Sequence, residues 1–169
     1  MHQIRQILTW IVLLTLLTGC ATQQERAERR AQTRKAVNEA VEKRQWHIDV
    51  TMMRPMRYTS RMVSSDFYLE LRNDTLRSYL PYLGQVHWTP MIYPSIGLNF
   101  EQPILSYQHI HHKEHIHQID MVVRTEEDAY HYEIEIYDNG EADIRVRSNN
   151  RDPISFEGNV NEADAVQQP

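Results

Sequence analysis

Five of the nine histidines fall within nine residues, His109-Ile110-His111-His112-Lys113-Glu114-His115-Ile116-His117. Neutral imidazole is a common ligand for zinc, copper or nickel, so three or four converging rings could hold one such ion. Whether they converge depends on register. If Leu105 faces Met121 and Tyr107 faces Ile119 across a hairpin, then His109 pairs with His117 and His111 with His115, around a turn at His112-Lys113-Glu114. A twisted ladder nevertheless spreads the side chains of one face, while a tetrahedral site wants donors about 2.0 Å from the metal. No carboxylate or thiolate is clearly placed to help. The expectation is therefore an exposed polar hairpin tip, with zinc or copper binding by His109, His111, His115 and His117 as the sharper alternative and a pH-responsive tip as a third.

Other groups that could do chemistry are sparse. Glu133 and Glu135 alternate with Ile134 and Ile136, which puts both carboxylates on one strand face and reads as a wet outer wall more readily than as a glycosidase pair. His47 and Asp49 on an earlier alternating segment read the same way. The chain has no G-x-S-x-G elbow, H-E-x-x-H helix, Gly-rich phosphate loop or EF-hand pattern. No catalytic residue is assigned. Tyr82, Trp88 and Tyr93, interleaved with Pro81, Pro90 and Pro94, could form a ligand platform or partner surface, although such rings more often cover the open end of a small sheet.

The single cysteine sits at the close of an apolar run, Ile7 to Leu17, in Leu17-Thr18-Gly19-Cys20. The run is shorter than the roughly 20 residues of a bilayer-spanning helix and suits a signal peptide over residues 1–19. The tetrad resembles the lipobox of bacterial lipoproteins, which implies cleavage before Cys20 and lipidation of its thiol. Acyl chains on one residue would moor the chain to a membrane, and no thiol would remain for a disulfide or a zinc-thiolate site. Losing Arg5 with the leader moves the formal net charge from −5 to −6. So acidic a balance lacks the broad basic surface that neutralises phosphate backbones, and nucleic-acid binding is not expected.

These groups must be positioned by a single domain. Residues 20–35 comprise the cysteine, a small polar spacer and the charged start of a helix over Glu25 to Gln45. The first half of that helix has almost nothing to bury, whereas Ala36, Val37, Ala40 and Val41 recur as one apolar stripe that should dock. Trp46, Ile48, Val50 and Met52 alternate onto one strand face before Pro55 interrupts. Asn73-Asp74 closes a hairpin that sets Leu71 against Leu76, Phe67 against Leu80 and Glu70 against Arg77. Asp138-Asn139-Gly140 closes another, with Ile134 against Ile144, Tyr132 against Val146, and Phe156 returning opposite Val146. Residues 161–169 read as a disordered tail. The expected fold is α+β over residues 36–160: a mostly antiparallel β-sheet meander with one N-terminal helix packed on its apolar face.

Ser78-Tyr79-Leu80-Pro81-Tyr82-Leu83-Gly84, Ile96-Gly97-Leu98-Asn99-Phe100, Tyr137-Asp138-Asn139-Gly140-Glu141-Ala142 and Arg151-Asp152-Pro153-Ile154-Ser155-Phe156-Glu157-Gly158 follow one another in an order that resembles the uncharacterised lipoproteins of Bacteroidota-type bacteria grouped as domain of unknown function 4251. The likeness runs from about Ala36 to Val160. It implies an exported, lipid-anchored α+β domain and brings no activity, cofactor or site residue; the histidine-rich turn is no part of it. The leading expectation is a non-enzymatic, lipid-anchored cell-envelope protein whose domain binds an envelope protein or ligand. Ala21 does not resemble an inner-membrane retention signal, which favours the outer membrane, facing the periplasm or the outside. A metal-binding lipoprotein and an unrecognised envelope hydrolase are the alternatives.

Overall fold

The computed structural model describes residues 23–87, 97–112 and 115–161. Residues 1–19 and Cys20, Trp88, Tyr93 and residues 162–169 lie outside them. The chain is helical over residues 23–42, the element α1. Residues 23–32 are exposed throughout, as expected of a sequence with nothing to bury, while Val37 and Val41 are almost completely buried and Ala40 nearly so. Burying each valine side chain contributes about 2 kcal/mol, so α1 is held by its second half. It ends short of Gln45. Gln45 N donates to Ala40 O at 2.9 Å and Arg44 N to Val41 O at 3.1 Å, with Arg44 at φ 52°; this paired bonding around a left-handed residue stops a helix and turns the chain into the first strand.

Nine strands follow: β1 (Trp46–Pro55), β2 (Arg61–Met62), β3 (Tyr68–Arg72), β4 (Thr75–Pro81), β5 (Gly97–His112), β6 (Ile116–Arg124), β7 (Ala129–Tyr137), β8 (Glu141–Ser148) and β9 (Ile154–Val160). They form one antiparallel sheet in the order β2-β1-β3-β4-β5-β6-β7-β8-β9, and β9 pairs with β1, which closes the meander into a barrel. Strand alternation turns Trp46, Ile48, Leu69, Leu71, Leu76, Leu80, Ile119, Met121, Ile134 and Phe156 inward, where each is buried. The barrel is filled, not hollow. Tyr132 carries a hydroxyl into it, which donates to Ser78 Oγ at 3.2 Å while Ser78 donates to Leu98 O at 2.6 Å, so both of these buried hydroxyls have partners.

The two turns behave as their residues require. Asn73 and Asp74 have φ of 51° and 57°, the pair of positive values that a two-residue type I′ loop needs, and Glu70 pairs with Arg77 and Leu71 with Leu76. Gly140 has φ 89° at the end of the three-residue β7–β8 turn, and Ile134 pairs with Ile144 and Tyr132 with Val146.

Three registers depart from expectation. At Thr51 and again at Leu105 one strand carries an extra residue: Val50 pairs with Gly158 and Met52 with Glu157, Ile104 with Val123 and Ser106 with Val122. A bulge reverses the side-chain parity beyond it. Met53, not Met52, is therefore buried, β1 runs on to Pro55, and Leu105 is left exposed. Beyond the second bulge Tyr107 faces Met121, His109 faces Ile119, and His111 faces His117. On β9, Phe156 pairs with Ile144, two residues from the expected Val146, a slip that keeps the same face buried. Gly158 is required where β9 meets β1, because a Cβ there would collide with the Asp49 carbonyl oxygen.

The barrel end formed by the starts of β5, β7 and β9 is sealed by a polar latch. Asp152, nearly buried, accepts from Gln85 N at 3.0 Å and Arg57 Nε at 2.8 Å, and lies 3.2 Å from His87 Nε2. The backbone amide of Gln85 and, next, the Arg57 guanidinium hold its carboxyl below the usual carboxylate value.

Candidate functional site

The opposite end is spanned by α1. Arg34 Nε reaches Asp138 Oδ2 at 2.6 Å, the Thr33 methyl lies beside Gly140, and at the other end of the helix Arg44 Nη1 meets Asp74 Oδ1 at 3.2 Å. The helix thus crosses from the β7–β8 turn to the β3–β4 turn. Beneath it the β5–β6 hairpin brings in the histidines.

His117 is only 1% exposed. Its Nε2 lies 2.7 Å from Asn38 Oδ1 on α1, and its Nδ1 lies 3.1 Å from His109 Nε2, with the two rings stacked at 5.3 Å. With Asn38 presenting its oxygen, His117 Nε2 carries the proton and Nδ1 accepts from His109. His115 goes elsewhere: its Nδ1 lies 2.8 Å from Asp138 Oδ2 and also touches Arg34 Nη2. Partial desolvation works against the Asp138 anion, but hydrogen bonds from His115 and Arg34 outweigh it and leave the carboxyl below its usual value. His111 occupies the backbone position opposite His117. Of the four histidines singled out in the sequence, His109 and His117 come together and His115 joins a rim ion pair. β6 sits two residues from the register that would have paired His109 with His117 and His111 with His115, so those pairs do not face each other.

The rim also frames a cleft of about 630 Å³ between the overhanging first half of α1 and the barrel, lined by Arg29, Arg30, Thr33, Arg34, His115 and Asp138. One turn after another, Arg26, Arg29, Arg30 and Thr33 continue the stripe that Val37, Ala40 and Val41 bury. The helix face that docks through apolar residues at one end is therefore cationic at the other. Arg29 pairs with Glu25 at 2.6 Å and Arg34 with Asp138, whereas Arg30 makes no ion pair or hydrogen bond among the described residues.

Several groups elsewhere take structural parts. Tyr82 donates to Gln85 O at 3.0 Å and Asp152 O at 3.1 Å, and burial, followed by the nearby Asp152 charge, pushes its hydroxyl up to about 12. It belongs to the latch at the far end. His47 Nε2 lies 3.1 Å from Asp49 Oδ1 and stacks on Tyr68 at 4.9 Å, while Asn161 Nδ2 donates to Asp49 at 3.0 Å. Glu133 and Glu135 face outward, as the alternation implies. One grouping escaped the sequence reading: Asp120, His131 and Glu133 hold ligand atoms within 4.8 Å of one another on the outer wall. Pairing β6 with β7, which sets Asp120 opposite Glu133, is the signal that would have found it. Glu133 is already engaged by Arg147 and lies 3.7 Å from Arg145, so two cations compete for the position a metal would take.

Comparison with known proteins gives the fold's relatives. The family model described as a domain of unknown function, DUF4251, matches residues 28–160. A crystal structure of a DUF4251 family protein from Bacteroides eggerthii DSM 20697 is similar with a TM-score of 0.61 at 9% identity, covering 77% of this chain and 87% of that one. At that identity the likeness shows the fold alone. No curated protein matches.

Proposed function

The chain belongs to the DUF4251 family, and from that premise we propose that it is a lipid-anchored cell-envelope protein whose barrel is a non-enzymatic binding domain. The observation that carries the reading is Leu17-Thr18-Gly19-Cys20 at the close of an apolar run, with the first described helical residue only three positions beyond the cysteine. Acylation of Cys20 would hold the barrel close to a membrane. Among the described residues no helix is long and apolar enough to cross one, so the lipid is the attachment this reading relies on. Ala21 favours the outer membrane as its destination. Support for a binding role is the cleft under α1, whose open, positively lined shape offers a ligand more than it offers a reaction. Metal binding through the histidine hairpin is less well supported, because His109 and His117 already satisfy each other and Asn38 while His115 is engaged with Asp138.

Fractionation of cells expressing the natural chain and Cys20→Ala tests the anchor. The natural chain is expected to stay with membranes through a high-pH wash and the variant to be released. Retention of both would overturn the reading.

A further inference from the structure

The cleft between α1 and the barrel rim has a chemistry of its own. Residues 23–35 contain Arg26, Arg29, Arg30, Arg34 and Lys35 against Glu25 and Glu28, a local excess of three positive charges in a chain whose formal net charge is −5. Every residue from 23 to 32 is exposed, so these side chains are not retained for packing. Asp138, the one carboxylate lining the cleft among the described residues, is held by both Arg34 and His115, and Arg29 is paired with Glu25, which leaves Arg30 as the lining guanidinium with no acidic partner among the described residues. Arg30 lines the cleft and is exposed. A guanidinium fork of this kind matches the oxygens of a phosphate, and about 630 Å³ exceeds what one phosphodiester headgroup needs.

We propose that this cleft binds the phosphate of anionic phospholipid headgroups, so that the charged start of α1 lies on the membrane surface beside the anchor. Among phosphate sources the lipid is favoured by position, and in this the proposal rests on the reading of Cys20 as acylated. Arg26 lies six positions beyond Cys20, at most about 22 Å even were the chain fully extended. The acidic remainder of the chain is repelled by an anionic leaflet, which leaves the arginine face as the one that can turn toward it. The barrel would then be held in one orientation and not swing freely on its tether.

The test uses residues 20–169, which contain every described element, with Cys20→Ser so that binding cannot come from acylation. Co-sedimentation is measured with phosphatidylcholine vesicles, with and without about 30% phosphatidylglycerol, at about 50 mM salt. At least about tenfold stronger binding to the anionic vesicles is expected, lost at about 0.5 M salt and reduced at least about tenfold by Arg29→Glu with Arg30→Glu. Both side chains are exposed, and an unchanged circular dichroism spectrum and melting point will show that the variant is folded. Equal binding to both vesicle types, or binding untouched by the double substitution, overturns the proposal. So does inorganic phosphate that saturates the cleft and abolishes vesicle binding at low millimolar concentration, which would make the ligand a soluble phosphate. Acylation plays no part in this assay. Anionic-vesicle binding that persists while Cys20→Ala stays with membranes sinks the anchor alone, and the converse sinks the cleft alone.

Discussion

Asp152 shows how one side chain can hold a barrel end shut. Its carboxylate gathers Gln85, Arg57 and His87 from segments that the strand ladder leaves loose. Because these partners depress its folded-state value below the ordinary 3.8, the stability it adds is fully present above the unfolded value and is lost as pH falls through the folded one. Asp152→Asn is therefore expected to lower the denaturant midpoint near pH 7 and to leave it unchanged once the medium is acid enough to protonate the natural residue. Midpoints measured across the acid limb check this; a constant difference at every pH would assign the effect to packing instead.

The element that most needs explaining is α1, a helix whose outer half is solvated and whose inner half plugs the barrel. Val37, Ala40 and Val41 supply the apolar contact, and the Asn38–His117–His109 chain fixes its register. Truncating His117 leaves Asn38 and His109 each short of a partner, so His117→Ala is expected to cost about 1–3 kcal/mol and to speed amide exchange in residues 33–42 before it affects the strands. Uniform loss of protection across the barrel would show that α1 and the sheet open as one unit. The docking stripe was readable in the sequence, because apolar spacing on a helix carries its own period. So were both hairpin turns, since Asn73-Asp74 and Gly140 announce positive φ. The position of the histidines was not. Thr51 and Leu105 are ordinary strand residues, and nothing local marks either as the extra one in its ladder. A register two residues from the one that would align four imidazoles leaves one stacked pair and one rim ion pair. The cleft escaped for a related reason: its arginines read as a solvated face until the β7–β8 turn placed Asp138 beneath them.

At the scale of the molecule, a closed barrel leaves few unpaired strand edges, which would suit the membrane-held domain proposed above. Closure needed β9 to return to β1 along seven paired positions, from Ile48 with Val160 to Pro55 with Ile154. The sequence reading reached the meander and the helix upon it, while the pairing of first strand with last depends on contacts about a hundred residues apart. The closed body has α1 at its mouth, and the first described residue of that helix follows Cys20 by three positions, which fits the anchored binding domain proposed above. The most direct measurement is the mass of the N-terminal peptide of the protein extracted from its native membranes. The account predicts a chain that begins at Cys20 and carries acyl chains on that residue. A chain that retains residues 1–19, or one that begins at an unmodified Cys20, would contradict it.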